Sequence, residues 1–501
     1  MLFTTATFLC LFLPIVLAGF FAIARFSHFG AALWLFLASV FFYGYWMPEF
    51  TALLLASVTG NFVVGRKIST LANAAGKSES VYAKRWLVLG IALNLALLAY
   101  FKYANFFIDN LNAALGSNWD IGRLILPIGI SFFTFTQIAY LADTWRKRVS
   151  EYRFVHYGLF VTYFPHLIAG PVLHHAQMMP QFKDEATYRF NIGNFTAGLA
   201  VFVLGMCKKV IFADGISPYA DVIFKAADAG GSPDFQEAWI GAIAYTLQLY
   251  FDFSGYSDMA IGLSWMFNVR LPFNFNSPYQ ATSISDFWRR WHMSLSQFLR
   301  DYLYIALGGN RKGPGWRYVN LMVTMVLGGL WHGASWSFVL WGFLHGLYLG
   351  VNHGFRALCG RPLITRLDAS RLYSVLSWML TMLCVVIAWV LFRAETLQGA
   401  GRMLHSMIWP DFTVTVSSPS HVHVLLWNAG LSLQAGWLWC GVLSAVAYLL
   451  PNSNRIGDRL QAQKARAAMA IISGASFAAV AFLLFVNSLR DSVSAFIYFN
   501  F

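Results

Sequence analysis

The sequence predicts an all-α protein that crosses a membrane many times. Of its 501 residues, 58% are hydrophobic and only 11% are charged, whereas soluble domains have about 25% charged residues. Many of its apolar runs are long enough to span a bilayer as helices. We therefore expect one membrane domain over residues 1–501, with about eleven to thirteen transmembrane and re-entrant helices.

The first half of the chain contains five apolar runs, and its basic loops set their direction. Cytoplasmic loops of membrane proteins collect Lys and Arg, so the basic residues at 66–85 and at 146–153 should both face the cytoplasm. This places the N-terminus on the outer, periplasmic side. No basic segment precedes the first run, so a cleaved signal peptide is not expected. The five runs are 5–24, 30–46, 50–64, 86–101 and 124–142.

The middle of the chain is less regular. Pro165 and Gly170 interrupt the apolar residues 154–170, which favours a re-entrant segment whose irregular backbone is covered by protein. Residues 192–211 then cross outward, 214–237 form an acidic outer loop, and 239–253 return to the cytoplasmic side.

The polar residues concentrate in 251–354, which we interpret as the catalytic centre. Beyond it we expect a span at 374–392, an amphipathic, loop-like stretch at 393–428, and a C-terminal hairpin and tail at 435–501. The hairpin would consist of 437–450 and 468–486 around a cytoplasmic basic loop at 455–466. The C-terminus then lies on the periplasmic side, like the N-terminus.

Charge and cysteine content exclude some classes of protein. The net charge of +13 is explained by basic cytoplasmic loops, so nucleic-acid binding is not expected. The five cysteines stand singly without Cys-x-x-Cys spacing, which indicates neither a disulfide framework nor a metal site.

His332 is the foremost candidate for a catalytic residue. It follows Leu330 and Trp331 in the middle of an apolar stretch, between the runs 319–330 and 335–351. Ionisable groups inside a membrane are costly, which makes them functional candidates by default. The alternative is a hydrogen-bonded packing histidine. The sequence contains no Gly-x-Ser-x-Gly, Gly-x-Gly-x-x-Gly or Walker A motif that would indicate a serine nucleophile or a phosphate loop.

His292 is the second candidate. Residues 287–302 read as a single interfacial helix that starts at a capping box of Ser283 and Asp286. His292 would lie at the border of its apolar face, and the alternative is an interfacial anchor with a snorkelling histidine. His345 is interpreted as a packing residue.

Four basic residues near this helix are candidates for binding the phosphate groups of a ligand. Arginine forks match phosphate oxygens, and the bias of basic residues toward the cytoplasm is the alternative explanation. The four are Arg289, Arg290, Arg311 and Lys312.

Several motifs resemble the membrane-bound O-acyltransferase family, in the bacterial branch that O-acetylates secreted polysaccharides such as alginate. They are Phe-Asp-Phe-Ser-Gly-Tyr-Ser-Asp at 251–258, Phe-Trp-Arg-Arg-Trp-His at 287–292 and Gly-Gly-Leu-Trp-His-Gly-Ala-Ser-Trp at 328–336. The resemblance implies a ring-like helical bundle in the inner membrane around a central tunnel. It also implies acetyl-CoA as a cytoplasmic donor substrate, no resident cofactor, a polysaccharide acceptor and a periplasmic acetyltransferase partner. The family's catalytic histidine corresponds to His332 and its supporting polar position to His292.

The aromatic tail suggests one further role. Related bacterial systems imply that a tail tyrosine accepts the acyl group, and Tyr498 matches that position. An aromatic belt that anchors the last helix is the alternative. Three other functions stay open: D-alanyl transfer, peptidoglycan O-acyl transfer, and a transporter or channel without chemistry, although we find no inverted repeat.

Overall fold

The computed structural model describes residues 1–74, 80–147, 151, 153–168, 170–173, 175–409, 424–463, 465–490 and 496–497. Within these ranges the regular structure is helical, and no strand is present. In the described part of the chain, seven helical segments are long and apolar enough to cross a membrane, or eight if Leu433–Leu449 and Ser453–Gln461, bent by 47°, form one span. The all-α polytopic class is thus confirmed. The larger number expected from the sequence includes broken segments, which do not meet this length criterion.

The helices of the first half begin and end as follows: α1 (Leu13–Ala24), α2 (His28–Trp46), α3 (Pro48–Ala74), α4 (Val81–Leu98), α5 (Ala104–Leu115), α6 (Ile130–Lys147), α7 (Phe154–Thr162), α8 (Phe164–Leu167), α9 (His175–Lys183), α10 (Ile192–Cys207) and α11 (Asp214–Asp228). Single π-helical stretches extend or join several of them, at Thr7–Phe12, Ala99–Tyr103 and Lys208–Ala213.

The helices of the second half are α12 (Phe235–Met266), α13 (Ile284–Arg290), α14 (Met293–Phe298), α15 (Pro314–His332), α16 (Trp336–Asp368), α17 (Arg371–Arg393), α18 (Leu397–Ile408), α19 (Val424–Asn428), α20 (Leu433–Leu449), α21 (Ser453–Gln461) and α22 (Arg466–Ser488). A further π-helical stretch, Leu299–Tyr304, follows α14, and short 3₁₀ turns lie at Glu185–Tyr188 and Pro278–Gln280.

The described residues form two compact units. The first comprises those of Met1–Met206, Tyr256–Phe273 and Ser453–Phe499, and the second those of Cys207–Gly255 and Asn274–Asn452. The single acyltransferase domain and the ring-like bundle around a tunnel stay predictions.

Within the first unit, small and polar residues bring helices together. Gly198 on α10 and Gly262 on α12 pack backbone to backbone, since a Cβ on either would stand 2.5 Å from the other's carbonyl oxygen. Asn61 on α3 and Asn94 on α4 exchange amide hydrogen bonds of 2.6 and 3.2 Å. These contacts satisfy polar groups that lipid cannot, as membrane helices require.

Several predicted boundaries are wrong for identifiable reasons. The span expected at 124–142 starts only at Ile130, because Pro127 cannot continue a helix and Gly129 has a φ of 76°. The basic loop expected at 455–466 contains α21. The loop-like stretch at 393–428 contains the amphipathic helix α18, and its residues 410–423 lie outside the described ranges.

The acidic outer loop expected at 214–237 is mostly a helix, α11. Its three aspartates recur every seven residues, and each has a partner within the second unit. Asp214 pairs with Lys209 at 2.9 Å, and Asp221 pairs with Arg393 at 2.8 Å. Asp228 accepts hydrogen bonds from Thr396 N at 3.0 Å and Thr396 Oγ1 at 2.9 Å. The aspartates therefore pair with other residues of the second unit, and the side chain of Asp221 stays 39% exposed.

Candidate active site

His332 is the last residue of α15, and glycines determine where it stands. The helix ends because Gly333 is extended, with a φ of −163°. Close packing of α15 against α16 depends on Gly329 and Gly342, since a Cβ on Gly329 would overlap the Phe338 carbonyl and one on Gly342 the Met325 carbonyl. The two helices can approach this closely only with glycine at these positions.

Aromatic rings enclose the His332 side chain, which is 4% exposed. Its ring centroid lies 4.9 Å from that of Trp331, 5.2 Å from that of Trp341 and 5.1 Å from that of Phe392. All three neighbours are buried. Such an enclosure excludes bulk water from the imidazole, which strengthens electrostatic interactions there.

His292 occupies a break between two helices, so the single helix expected over 287–302 is wrong. Its backbone is left-handed, with φ 42° and ψ 54°, between the end of α13 and the start of α14. The extended chain before these helices holds the break open: Met293 N donates to Asn274 O at 2.9 Å, and Asn276 N donates to Arg290 O at 2.9 Å. The predicted N-cap is confirmed, since Ser283 Oγ accepts from Asp286 N at 3.1 Å.

The break directs the His292 side chain inward, not to the border of an apolar face. The residue is fully buried, and its ring meets that of Phe253 edge-on at 4.8 Å. Among the described residues, neither ring nitrogen has a hydrogen-bond partner. Burial lowers the pKa of His292 to about 3, so the imidazole is neutral at physiological pH and keeps one N–H donor.

Trp331 connects the two predicted histidines. Its ring centroid lies 4.9 Å from that of His332 and 6.3 Å from that of His292. Two buried imidazoles therefore contact one indole. This is the pair that the sequence singled out, brought together from α15 and from the α13–α14 break.

His345 belongs to the same aromatic cluster, although the sequence suggested only a packing role. It is fully buried on α16, with its ring 4.7 Å from that of Trp341. Trp288 Nε1 donates a hydrogen bond to its Nδ1 at 3.3 Å. The spacing of Trp341 and His345, four residues apart on one helix, is the signal that places both on the face of His332.

Three of the four basic candidates lie at the surface. Arg289, Arg311 and Lys312 are exposed, and Arg290 pairs with Asp286 at 2.9 Å. Lys312 lies two residues before α15, whose 19 residues end at His332, so the length of that helix, about 28 Å, separates Lys312 from His332.

Sequence reasoning missed a buried cluster of charges in the second unit. Lys209, on the π-helical stretch before α11, pairs with Asp214 and with Asp252 of α12. All three side chains are at most 8% exposed. The signal in the sequence was a lysine near the end of the apolar run 192–211.

Tyr498 lies outside the described residues. Two residues before it, Phe496 is 1% exposed and stacks on Tyr256 within the first unit, with centroids 4.5 Å apart. The chain leading to Tyr498 is therefore inside the protein at Phe496.

Comparisons with known proteins show which family this chain belongs to. The model of the membrane-bound O-acyltransferase family matches residues 93–393. The chain is 38% identical to a peptidoglycan O-acetyltransferase of Helicobacter pylori, over 100% of this chain and 98% of the relative. It is 44% identical to the probable alginate O-acetylase AlgI of Pseudomonas aeruginosa, over 81% and 75% of the two chains. A teichoic acid D-alanyltransferase of Bacillus subtilis is 26% identical over 45% of this chain and 59% of its own. This multipass membrane protein therefore belongs to the membrane-bound O-acyltransferase family and is an O-acyltransferase.

Proposed function

We propose that this chain transfers an acetyl group from acetyl-CoA, on the cytoplasmic side of the bacterial inner membrane, to a polysaccharide outside. The observation that supports this most is that His332 and His292, both buried, contact the same indole ring of Trp331. A buried pair of imidazoles suits the transfer of an acyl group to a hydroxyl.

The chemistry assigns one role to each imidazole. His332 removes the proton of the acceptor hydroxyl while its oxygen attacks the thioester carbonyl. The neutral His292 donates its N–H to the oxyanion that forms. When the C–S bond breaks, the thiolate leaves, and the proton held by His332 restores the thiol. The aromatic enclosure of His332 keeps water from competing with the acceptor.

A secreted polysaccharide such as alginate is the first candidate acceptor, on the strength of the relatives at 44% identity. Peptidoglycan is the second, and one observation favours it. The relative named for peptidoglycan aligns with 100% of this chain, C-terminal hairpin included, whereas the alginate relative aligns with 81%. The O-acetyl content of both polymers, measured in cells with and without the gene, decides between them.

Tyr498 completes the proposed path as an acyl carrier toward a periplasmic acetyltransferase partner. A phenol is a competent oxygen nucleophile once a base removes its proton, and this proposal requires both chain termini to be periplasmic. The burial of Phe496 favours an internal tail over an anchor in the lipid interface. Under donor excess, mass spectrometry of the C-terminal peptide should find acetyl on Tyr498. Full polymer acetylation by Tyr498→Phe would leave the tail without this role.

The decisive experiment measures acetyl transfer from acetyl-CoA by the purified protein in liposomes. His332→Ala should lower the rate by about 10²–10⁴-fold, as expected for loss of a general base. His405→Ala, at an exposed position of α18, is the matched control and should retain activity. Normal turnover by His332→Ala would overturn the assignment. Transport of a solute without thioester turnover would point to the rival transporter.

A further inference from the structure

His345 has a fixed tautomer, and its surroundings reveal which one. An indole N–H can only donate, so the hydrogen bond from Trp288 Nε1 to His345 Nδ1 requires an Nδ1 without a proton. The imidazole is therefore neutral and carries its proton on Nε2. Trp288 acts as the group that selects this tautomer.

Among the described residues, none accepts a hydrogen bond from the proton on Nε2. Within the part of the chain that the structure describes, the buried Nε2 of His345 has no hydrogen-bond partner. The rings of Phe287, Trp288, Trp341, Tyr348 and Trp389 surround the imidazole. Leaving a buried donor unsatisfied costs free energy, so an oriented N–H in an apolar enclosure indicates an acceptor brought by a ligand.

His345 lies on α16, and its level relative to the neighbouring helix α15 indicates which group of the ligand provides the acceptor. Gly346, its neighbour, packs on Met322, since a Cβ there would stand 2.6 Å from Met322 Sδ. His345 is thus level with the middle of α15, about 14 Å from either end. One end follows Lys312, and the other end is His332.

We propose that His345 Nε2–H donates a hydrogen bond to an amide carbonyl on the arm that joins the donor's phosphates to its acyl thioester. This inference rests on the proposed function, because it takes the basic end of α15 as the phosphate side and His332 as the thioester side. The phosphopantetheine arm has this chemistry, since two amide groups lie between its phosphate and its sulfur. His345 is then a donor-binding residue that recognises the arm, and Trp288 is a positioning residue that acts through it.

The test compares three acetyl donors: acetyl-CoA, acetylpantetheine, and the acetyl thioester of a simple alkanethiol, which has no amide. His345→Phe keeps a ring in the cluster and removes the N–H. It should raise KM about five- to tenfold for the first two donors, as loss of a buried hydrogen bond predicts, with kcat nearly unchanged. KM for the alkanethiol ester should not change.

Two further variants and a control make the test specific. His345→Gln retains an N–H donor and should restore most of the affinity. Trp288→Phe removes the group that selects the tautomer, so its KM should lie between those of the wild type and His345→Phe. His353→Phe, two turns further along α16, is the matched control and should leave all three KM values unchanged.

The outcomes separate this inference from the proposed function. An unchanged KM in His345→Phe, or an equal rise for the donor without amides, would overturn the role of His345 while leaving acetyl transfer intact. Wild-type protein that uses none of the thioesters would instead reject the proposed function. Comparing kcat/KM for acetyl-CoA with that for an acetylated carrier protein identifies which source supplies the arm.

Discussion

The two histidines of the proposed chemistry reach the core by different structural means. His332 ends a regular helix, and the glycine contacts between α15 and α16 determine its position. His292 has a left-handed backbone and separates two helices. Backbone hydrogen bonds of Met293 with Asn274 and of Arg290 with Asn276 stabilise this break. The position of His332 depends on close packing of two helix backbones. The position of His292 depends on a strained backbone that hydrogen bonds to a neighbouring chain segment stabilise.

The difference has an energetic consequence. A left-handed residue other than glycine costs of order 1–3 kcal/mol, yet His292 is a bulky imidazole at that position. Asn274 offsets part of this cost, because its main chain binds Met293 N and its Oδ1 accepts from Ser294 Oγ at 2.6 Å. Strain that is retained with a histidine in place indicates that the side chain is needed there. His332 requires no comparable cost.

The largest effect expected for the break between α13 and α14 is a loss of acetyl transfer, and it tests whether the side chain or the backbone conformation of His292 is required. His292→Ala should lower acetyl transfer about 10²-fold, in the range found when an oxyanion donor is removed. His292→Gly should be as inactive as His292→Ala. It should unfold at a higher temperature than His292→Ala, because glycine accepts the left-handed backbone without strain. His292→Asn tolerates that backbone and keeps an N–H, so it should be the most active of the three.

Rates of acetyl transfer and thermal unfolding midpoints in detergent check this series. If His292→Gly were as active as the wild type, the break alone would be required. The imidazole would then have no part in the reaction.

The second prediction tests the packing that positions His332. Gly329→Ala would force a Cβ against the Phe338 carbonyl and to within 3.2 Å of Gly342 Cα, and no side-chain rotation relieves a clash with backbone. We expect a loss of about 1–3 kcal/mol in stability, together with lower activity because His332 follows three residues later. Gly315→Ala, on the same helix with nothing within 4 Å of its Cβ, should be neutral or stabilising by about 0.5–1 kcal/mol. Similar unfolding midpoints for the two variants would contradict this account.

The same contrast explains what the sequence could and could not predict. The turn between α15 and α16 could be predicted, because two apolar runs flank a cluster of glycines and a serine around His332. The break between α13 and α14 could not be predicted, because no glycine or proline lies between Phe287 and Tyr302. Its cause is a long-range contact with Asn274 and Asn276, which local propensity cannot reveal.

The charged residues of the second unit show the same limit. Asp214, Asp221 and Asp228 suggested a solvated loop because composition says nothing about partners. Their partners include Arg393 and Thr396, more than 160 positions away in the chain. A regular spacing of seven residues was visible, and it is the feature that should have favoured a helix with one interacting face.

The smallest expected effects are those of changing Arg289 and Arg290. They test whether the region around the break also binds the donor. Arg290 is committed to Asp286 four residues earlier, with side chains 30% and 26% exposed. A pair of this kind contributes about 0.3–0.5 kcal/mol to stability. Arg290→Gln should therefore slightly lower the unfolding midpoint and have little effect on KM. Arg289 is exposed, and its guanidinium suits a phosphate.

Arg289→Gln should raise the KM for acetyl-CoA about two- to fivefold, the range of an exposed ionic contact. Acetylpantetheine lacks the nucleotide phosphates, so its KM should be the same in this variant and in the wild type. The effect on acetyl-CoA should also shrink as salt is added, because exposed charge interactions are screened. A rise that is equal for both donors, or that salt does not reduce, would mean that Arg289 acts on the fold of the break. The donor phosphates would then bind elsewhere, and Arg311 and Lys312, at the start of α15, would be the next residues to change.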